Sequence, residues 1–352
     1  MKVRVYSPTV ENPAFPPTGD LVSVPSVAIP SRSEYRLPLA LPARVRRDLE
    51  EFAPNIVHVS SPDIVGHRAV SWARRRQIAV VASVHTRFET YLEYYHLQSL
   101  EPLVRAGLRR FYHRCEVVLA PAESTALILR AQRMNRNIEI WTRGIDRDQF
   151  NPERRDVEWR RAQGIADDEM VVAFLGRIVM EKGLDVFADA IHAFAPLGLK
   201  HRVLVIGDGP ARGWFQQQLP NAIFTGQQTG ADLARALASA DVFLNPSVTE
   251  AFGNVTLEAM ACALPVIAAV ASGTTSLVQP GVTGLLADGS EPEEFAEALS
   301  AYARDPKLRR RHGSAGLEIA RSMDWDTINS AVVRAYKHAI VKRERLARMT
   351  GR

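Results

Sequence analysis

"MVVAFLGRIVMEKG", residues 170–183, opens with six consecutive apolar residues, meets a glycine, and ends in a loop carrying Arg177 and Lys182. An apolar run of that length, bounded by glycine, predicts a strand buried on both faces, as in parallel sheets. Two cations beyond the carboxyl end of such a strand, just before a helix expected to begin near Leu184, form a place where a phosphate or diphosphate is stabilised. The loop lacks the G-x-x-x-x-G-K-[ST] order of a P-loop.

The pattern repeats outward from this stretch. Downstream, "RVLVIGDGP", "AIFTG", "DVFLNPS", "LPVIAAV" and "TGLLA" read as strands separated by segments of helical period. Upstream, "NIVHVS", "IAVVASV", "EVVLAP" and "IEIW" alternate with helices expected near 64–76, 90–114 and 123–134. Strand and helix in alternation imply parallel sheets with helices on both faces. The polar, proline-containing "GIDRDQFNPERRD" interrupts the pattern, so the chain divides into a first domain over 1–150 and a second over 151–324. The helical stretch from Trp325 has no strand after it and is expected to cross back, with the basic tail to residue 352, onto the first domain. Two facing domains of this kind make a cleft beyond the carboxyl ends of their strands, where ligands of open parallel sheets bind.

"EAFGNVTLEAMA", residues 250–261, follows the strand "DVFLNPS" and places Glu250 in a loop and Glu258 about one turn inside a short helix, with Asn254 the expected N-cap. Backbone amides around Phe252, Gly253 and Asn254 at the helix N-terminus suit an anion. A diphosphate flanked by hydroxyl-rich sugars fits the set: cations and amides take the phosphates, and each carboxylate accepts hydrogen bonds from one sugar. Taken singly, each residue reads as a solvated side chain; their joint placement points to a nucleotide-sugar site. Gly209 in "VIGDGP" would let a backbone approach closely, although GDG is also a plain turn. A G-x-G-x-x-G on the first strand-helix turn is missing, which argues against a dehydrogenase.

Composition narrows the class further. The 352 residues carry a formal charge of +5, with hydrophobic content of 46% and charged content of 24%, values of a globular protein. Two cysteines, Cys115 and Cys262, make a disulfide framework improbable and favour a reducing cytoplasm. No apolar run reaches membrane-spanning length. The basic residues cluster in "LVRAGLRRFYHR", with Arg105, Arg109, Arg110 and Arg114, and in the tail "YKHAIVKRERLARMTGR". Either cluster reads as a peripheral contact with an anionic membrane face or as a solvated helix face. Nucleic acid is not an expected partner, because no nucleic-acid module accompanies the charge.

Together these motifs resemble the retaining glycosyltransferases of family 4. The resemblance rests on Glu250 and Glu258 as an E-x7-E pair, on Arg177 and Lys182 in "GRIVMEKG", on "IGDGP", on "GIDRDQFNP" and on "TGLLA" after "PGV", and it covers essentially the whole chain. "HVSSPDIVG", "VHTRFETYLEYY" and "IWTRGID" look most like the branch holding GDP-mannose-dependent α-mannosyltransferases and sulfolipid synthases. The resemblance implies the GT-B fold: two facing Rossmann-like, doubly wound α/β domains. It also implies roles. Arg177 and Lys182 would hold the donor diphosphate, Glu250 the transferred sugar, and Glu258 the ribose hydroxyls. The amides of Phe252, Gly253, Asn254 and Val255, with Gly209, would line the donor site, and His85 would reach into the cleft near the sugar. No metal or other cofactor is expected, since the cations and the helix N-terminus stand in for it.

The expected partners are a nucleotide-sugar donor, GDP-mannose or a UDP-hexose, and a lipid or glycan acceptor. The alternatives are a UDP-sugar-dependent glycolipid, sulfolipid or polysaccharide-precursor transferase, and a truncated nucleotide-sugar-binding protein without turnover. The last arises because relatives begin with a strand, a glycine-rich loop and a helix before a strand like "KVRVYSPT", whereas here Met1 opens on that second strand. A start upstream, with a gap in the first sheet, is the expectation. A second departure is "ASGTTSLV", where Ser272 and Ser276 stand in places that many relatives fill with glycine and an acid.

Overall fold

The computed structural model describes residues 1–10, 18–29, 32–86, 98–271 and 273–349. Fourteen strands lie among them: β1 Arg4–Ser7, β2 Asp20–Ser23, β3 Ser26–Ile29, β4 Arg32–Pro38, β5 Ile56–Val59, β6 Ala79–Ser83, β7 Val117–Ala120, β8 Ile138–Ile140, β9 Met170–Leu175, β10 His201–Ile206, β11 Ile223–Gly226, β12 Val242–Asn245, β13 Val266–Ala269 and β14 Gly284–Ala287.

The second domain is built on one parallel sheet of six strands in the order β11-β10-β9-β12-β13-β14. Chain order reverses between β9 and β12, so the loops that follow these two neighbouring strands diverge and leave a crevice. Both faces are covered, which is why the strands read as unbroken apolar runs. Val171 and Ala173 face a core shared with the Gly230–Ala238 and Asn254–Ala261 helices. Val172 and Phe174 face the other, filled by Phe187 and Phe194 of the Leu184–Phe194 helix and by Phe295 and Tyr302 of the Pro292–Arg304 helix. Each such aromatic contributes roughly 1.5–3 kcal/mol by leaving water.

At the amino end of this sheet Asp241 holds β12 to β9. Its carboxylate accepts from Arg155 at 2.7 Å, Arg160 at 2.9 Å and the Val171 amide at 2.8 Å. Burial opposes the Asp241 charge, but Arg155, the amide and Arg160 outweigh it and keep its pKa below the usual carboxylate range. A cavity of about 750 Å³ opens here, lined by Arg155, Asp241 and Arg309. It lies at the opposite end of the strands from Arg177, Lys182 and the two glutamates.

The first domain is less continuous. β5-β6-β7-β8 form a parallel sheet, β1 and β2 a separate parallel pair, and β3 and β4 an antiparallel hairpin. Between β1 and β5 runs a groove of about 430 Å³, lined by Val3, Val5 and Tyr6 on one side and Val57 and Val59 on the other. Polar residues line the same groove, among them Arg4, Asn55 and His58.

The Trp325–Met349 helix packs on β6 and β7 of this sheet, with Val332, Ala335 and Ala339 on one stripe against Val81, Val117 and Leu119. Arg343 is buried and reaches the Glu116 carboxylate at 3.4 Å and the Arg74 carbonyl at 3.1 Å. The basic tail thus continues the helix to Met349 and places one cation, Arg343, inside the protein, while Arg345 and Arg348 stay exposed. The other basic cluster lies on the Glu101–Tyr112 helix and just beyond it. Arg105 pairs with Glu101, Arg109 donates to the Gln132 carbonyl at 3.1 Å, and Arg114 to Ser71 Oγ at 2.5 Å. Of the four, Arg110 is the one classed as exposed. The expected helical segment over 90–97 lies outside the described residues.

The chain passes between the domains twice, side by side. Ile145 N–H donates to the Met323 carbonyl at 3.1 Å and Arg147 to the Arg321 carbonyl at 3.1 Å. A Cβ at Gly144 would stand 2.5 Å from the Trp325 ring, so glycine is required there. Among the described residues no helix is long and apolar enough to cross a membrane.

Candidate active site

The crevice between β9 and β12 is where two of the sequence-derived residues, Lys182 and Glu250, meet. Beyond β9 the chain turns through Gly176 and Arg177, makes a short 3-10 turn at Met180–Lys182, and enters the Leu184–Phe194 helix at Gly183, whose φ is +71°. A Cβ at 183 would stand 2.9 Å from the Pro246 carbonyl, so glycine brings the β9 loop against the β12 loop. Lys182 Nζ then lies 2.6 Å from Glu250 Oε1, with the carboxylate 13% exposed and the lysine 30%. A lysine ammonium carries three donors, so this bond leaves others for a ligand.

Glu250 is placed by the loop behind it. Buried Asn245, at the end of β12, donates to Thr256 Oγ1 at 3.2 Å and accepts from the Ser247 amide at 3.2 Å, tying strand, loop and helix together. The Asn254–Ala261 helix begins one residue earlier than an Asn254 cap requires. Gly253, with φ +96°, is the cap residue and Asn254 is exposed within the first turn. The left-handed backbone at 253 is what ends the loop, and asparagine is not needed for it. The cap residue, a glycine, has no side chain to accept from the first amides, which suit an anion. Phe252 is buried in the core, and Val255 is partly buried in the first turn.

Glu258 stands one turn further on, mostly buried, and makes no ion pair among the described residues. Burial pushes its pKa up to about 7. A carboxyl held in this state gains if a ligand's hydroxyls enter and hydrogen-bond to its charged form.

Gly209 has a neighbour other than the one the sequence suggested. A Cβ there would stand 2.4 Å from the Ile178 carbonyl, and one at Gly207 would stand 2.0 Å from the Gly176 carbonyl. The glycines let the β10 loop close on the loop carrying Arg177, where Ile178 N–H donates to the Asp208 carbonyl at 2.9 Å. The close backbone approach is to this loop. His85, from the first domain, is exposed, with Nε2 2.8 Å from Ser83 Oγ and Nδ1 2.5 Å from Arg143 Nη2. Since arginine can only donate, Nδ1 accepts and the Nε2 proton points to Ser83. Desolvation and the Arg143 charge both lower the His85 pKa.

The sequence profile described as Glycosyltransferase Family 4 matches residues 1–149, and that described as Glycosyl transferases group 1 matches 169–305. The GDP-mannose-dependent alpha-mannosyltransferase of Corynebacterium glutamicum is 30% identical over 93% of this chain and 78% of its own. The chain belongs to the family 4 glycosyltransferases. Sulfoquinovosyl transferase SQD2 of Arabidopsis thaliana is 30% identical over 85% of this chain and 60% of its own. Among solved structures, Anabaena HepE in complex with UDP and glucose superposes with a TM-score of 0.69 at 22% identity, over 84% of this chain and 82% of that one, and shares the fold.

Several residues that shape this glycosyltransferase's crevice carry no signal in the sequence. Asn245 and Thr256 are eleven apart and meet only because the helix folds back on its strand. Gly273 reads as an ordinary turn glycine, yet a Cβ there would stand 2.6 Å from the Phe252 nitrogen. Ser276 lies 2.7 Å from Ser124 of the first domain. Ser272 lies outside the described residues.

Proposed function

We propose that the chain is a retaining hexosyltransferase that moves mannose from GDP-mannose to a lipid or lipid-linked acceptor. The observation that carries the donor site is the Lys182–Glu250 pair, set at the switch point beside a helix N-terminus whose cap residue is a glycine. The donor diphosphate lies against Arg177, Lys182 and the amides of Phe252, Gly253 and Asn254. Charge grows on the leaving phosphate as the glycosidic bond breaks, so these groups bind the transition state more tightly than the ground state. They take the part a metal ion would otherwise play. Glu250 holds Lys182 in place and accepts from hydroxyls of the transferred sugar; it positions the sugar and does not act as a base. Glu258 accepts from the ribose hydroxyls. The leaving phosphate assists deprotonation of the acceptor on the same face, which retains configuration. His85, fixed between Ser83 and Arg143, offers a neutral imidazole wall on the first-domain side.

The choice of mannose from GDP-mannose is supported by the mannosyltransferase relative; the lipid acceptor is the reading carried by the resemblance to that branch. A UDP-sugar donor is the second reading, favoured by the UDP in the HepE complex. Peripheral membrane contact rests on the outward face of the Glu101–Tyr112 helix, where Leu103 is 71% exposed near Arg110. The deciding experiment offers GDP-mannose, UDP-glucose and UDP-sulfoquinovose in turn with a lipid extract and follows nucleotide release and labelled lipid. Release with GDP-mannose that is lost in Glu250→Ala supports the proposal. Release with a UDP-sugar alone selects the second reading, and binding without release means a nucleotide-sugar-binding protein.

A further inference from the structure

The loop between Glu250 and Gly253 is held from both domains. The Glu250 carbonyl accepts from the Gly273 amide at 2.9 Å, within the second domain. The next carbonyl, that of Ala251, accepts from Thr125 Oγ1 at 3.0 Å. Thr125 belongs to the first domain, in the first turn of the Glu123–Ala131 helix, and is fully buried. Its surroundings are docked with it: Ala122 sits in the same core cluster as Phe252 and Leu277, and Ser124 meets Ser276.

A helical threonine commonly turns its hydroxyl back onto a carbonyl of its own helix. Here the proton goes across the domain boundary to a backbone carbonyl of the loop. Fixing two successive carbonyls fixes two successive peptide planes, and with them the direction of the Ala251 and Phe252 amides, the base of the Glu250 side chain and the entry of the chain into Gly253. Because Gly273 supplies only one of the two bonds, the second domain alone leaves the Ala251 plane unheld by this pair.

We infer that Thr125 is a positioning residue of the transfer reaction: a first-domain hydroxyl that sets the second-domain donor loop in its working geometry. This rests on the assignment of the Glu250 loop to the donor. The loop amides are proposed to act chiefly on the charge that grows as the glycosidic bond breaks, so loss of the Thr125 bond lowers transfer more than it weakens nucleotide binding.

The test uses Thr125→Val, which keeps the shape and removes the hydroxyl, with Thr125→Ser, which restores it. In the valine variant kcat is expected to fall about tenfold, the loss of roughly one net hydrogen bond. The nucleotide Kd and the KM for the nucleotide-sugar stay within about twofold. Hydrogen exchange of the 252–254 amides becomes faster, and serine returns both kcat and exchange toward the original values. Unchanged exchange at 252–254 in the valine variant overturns the inference, as does a loss of kcat that serine does not recover, which would assign the effect to methyl packing. Thr125→Ala, read in the same way, replaces valine if the valine variant does not fold. The exchange readout needs no donor. If it responds while the unaltered protein binds no nucleotide-sugar, the donor assignment fails and the positioning of the loop stands.

Discussion

Two largely buried acids at opposite ends of one sheet are treated in opposite ways. Asp241, at the amino ends of β9 and β12, is surrounded by two guanidinium groups and a backbone amide, and its pKa is held low. Glu258, beyond the carboxyl ends, is given no ion-pair partner among the described residues, and its pKa is pushed up to about 7. Burial opposes the charge in both. What separates them is whether the protein itself supplies the compensation or leaves it to a ligand. The first arrangement fastens strands; the second costs stability, and the proposed donor site gives it a use.

Breaking the saturated end should produce the largest change. Asp241→Asn leaves Arg160, with its side chain 4% exposed, beside a neutral group, and is expected to destabilise the fold by about 3 kcal/mol or more, since breaking a buried pair strands one charge. Denaturant unfolding measures it, and activity per folded molecule should be unchanged. A loss of activity without loss of stability would remove the distinction between the two ends. At the other end, Lys182→Ala should lower kcat by about 10²–10³ with little change in the unfolding midpoint, the range for removing one transition-state donor. An equal rise in KM at constant kcat would mean that the lysine binds substrate and transition state alike.

The Glu258 prediction concerns pH. A folded-state pKa near 7, above the unfolded value of about 4.3, means that the fold binds the proton more tightly than the unfolded chain does. Stability from this group is full below about pH 4.3 and is lost as pH rises through 7. Nucleotide binding that uses the carboxylate runs the other way, strengthening about tenfold between pH 6 and pH 8. Calorimetry at several pH values checks it, and Glu258→Gln should flatten both trends. The smallest effect is expected at the rim: Ser276→Ala removes a side-chain contact with Ser124 and should change kcat by less than about threefold.

The second sheet was legible because burial on both faces writes an unbroken apolar run into each strand, and each run named in 170–287 became a strand. The Arg177, Lys182 and Glu250 loops were legible as well, since parallel strands place all their carboxyl ends at one end of the sheet. Short strands flanked or ended by prolines were harder, so the β3–β4 hairpin was not foreseen. The helix cap was misplaced by one residue because asparagine is a good cap by composition, whereas the backbone turn falls on Gly253. Thr125 was out of reach of sequence reasoning. Its partner carbonyl is 126 residues away and on the other domain, and nothing in the local pattern marks a hydroxyl with such a partner.

The paired crossings between the domains have a mechanical consequence. Two chain segments hydrogen-bonded side by side, at Ile145 with Met323 and Arg147 with Arg321, behave like two pins on a common axle: the halves can swing about it but are hindered from sliding past one another. They also make the connection redundant. A single proteolytic cut between residues 146 and 151 would leave the second crossing intact. The Trp325–Met349 helix would still be seated on the first sheet through Val332, Ala335, Ala339 and Arg343, so a nicked molecule should run as one particle in gel filtration and separate only on denaturation.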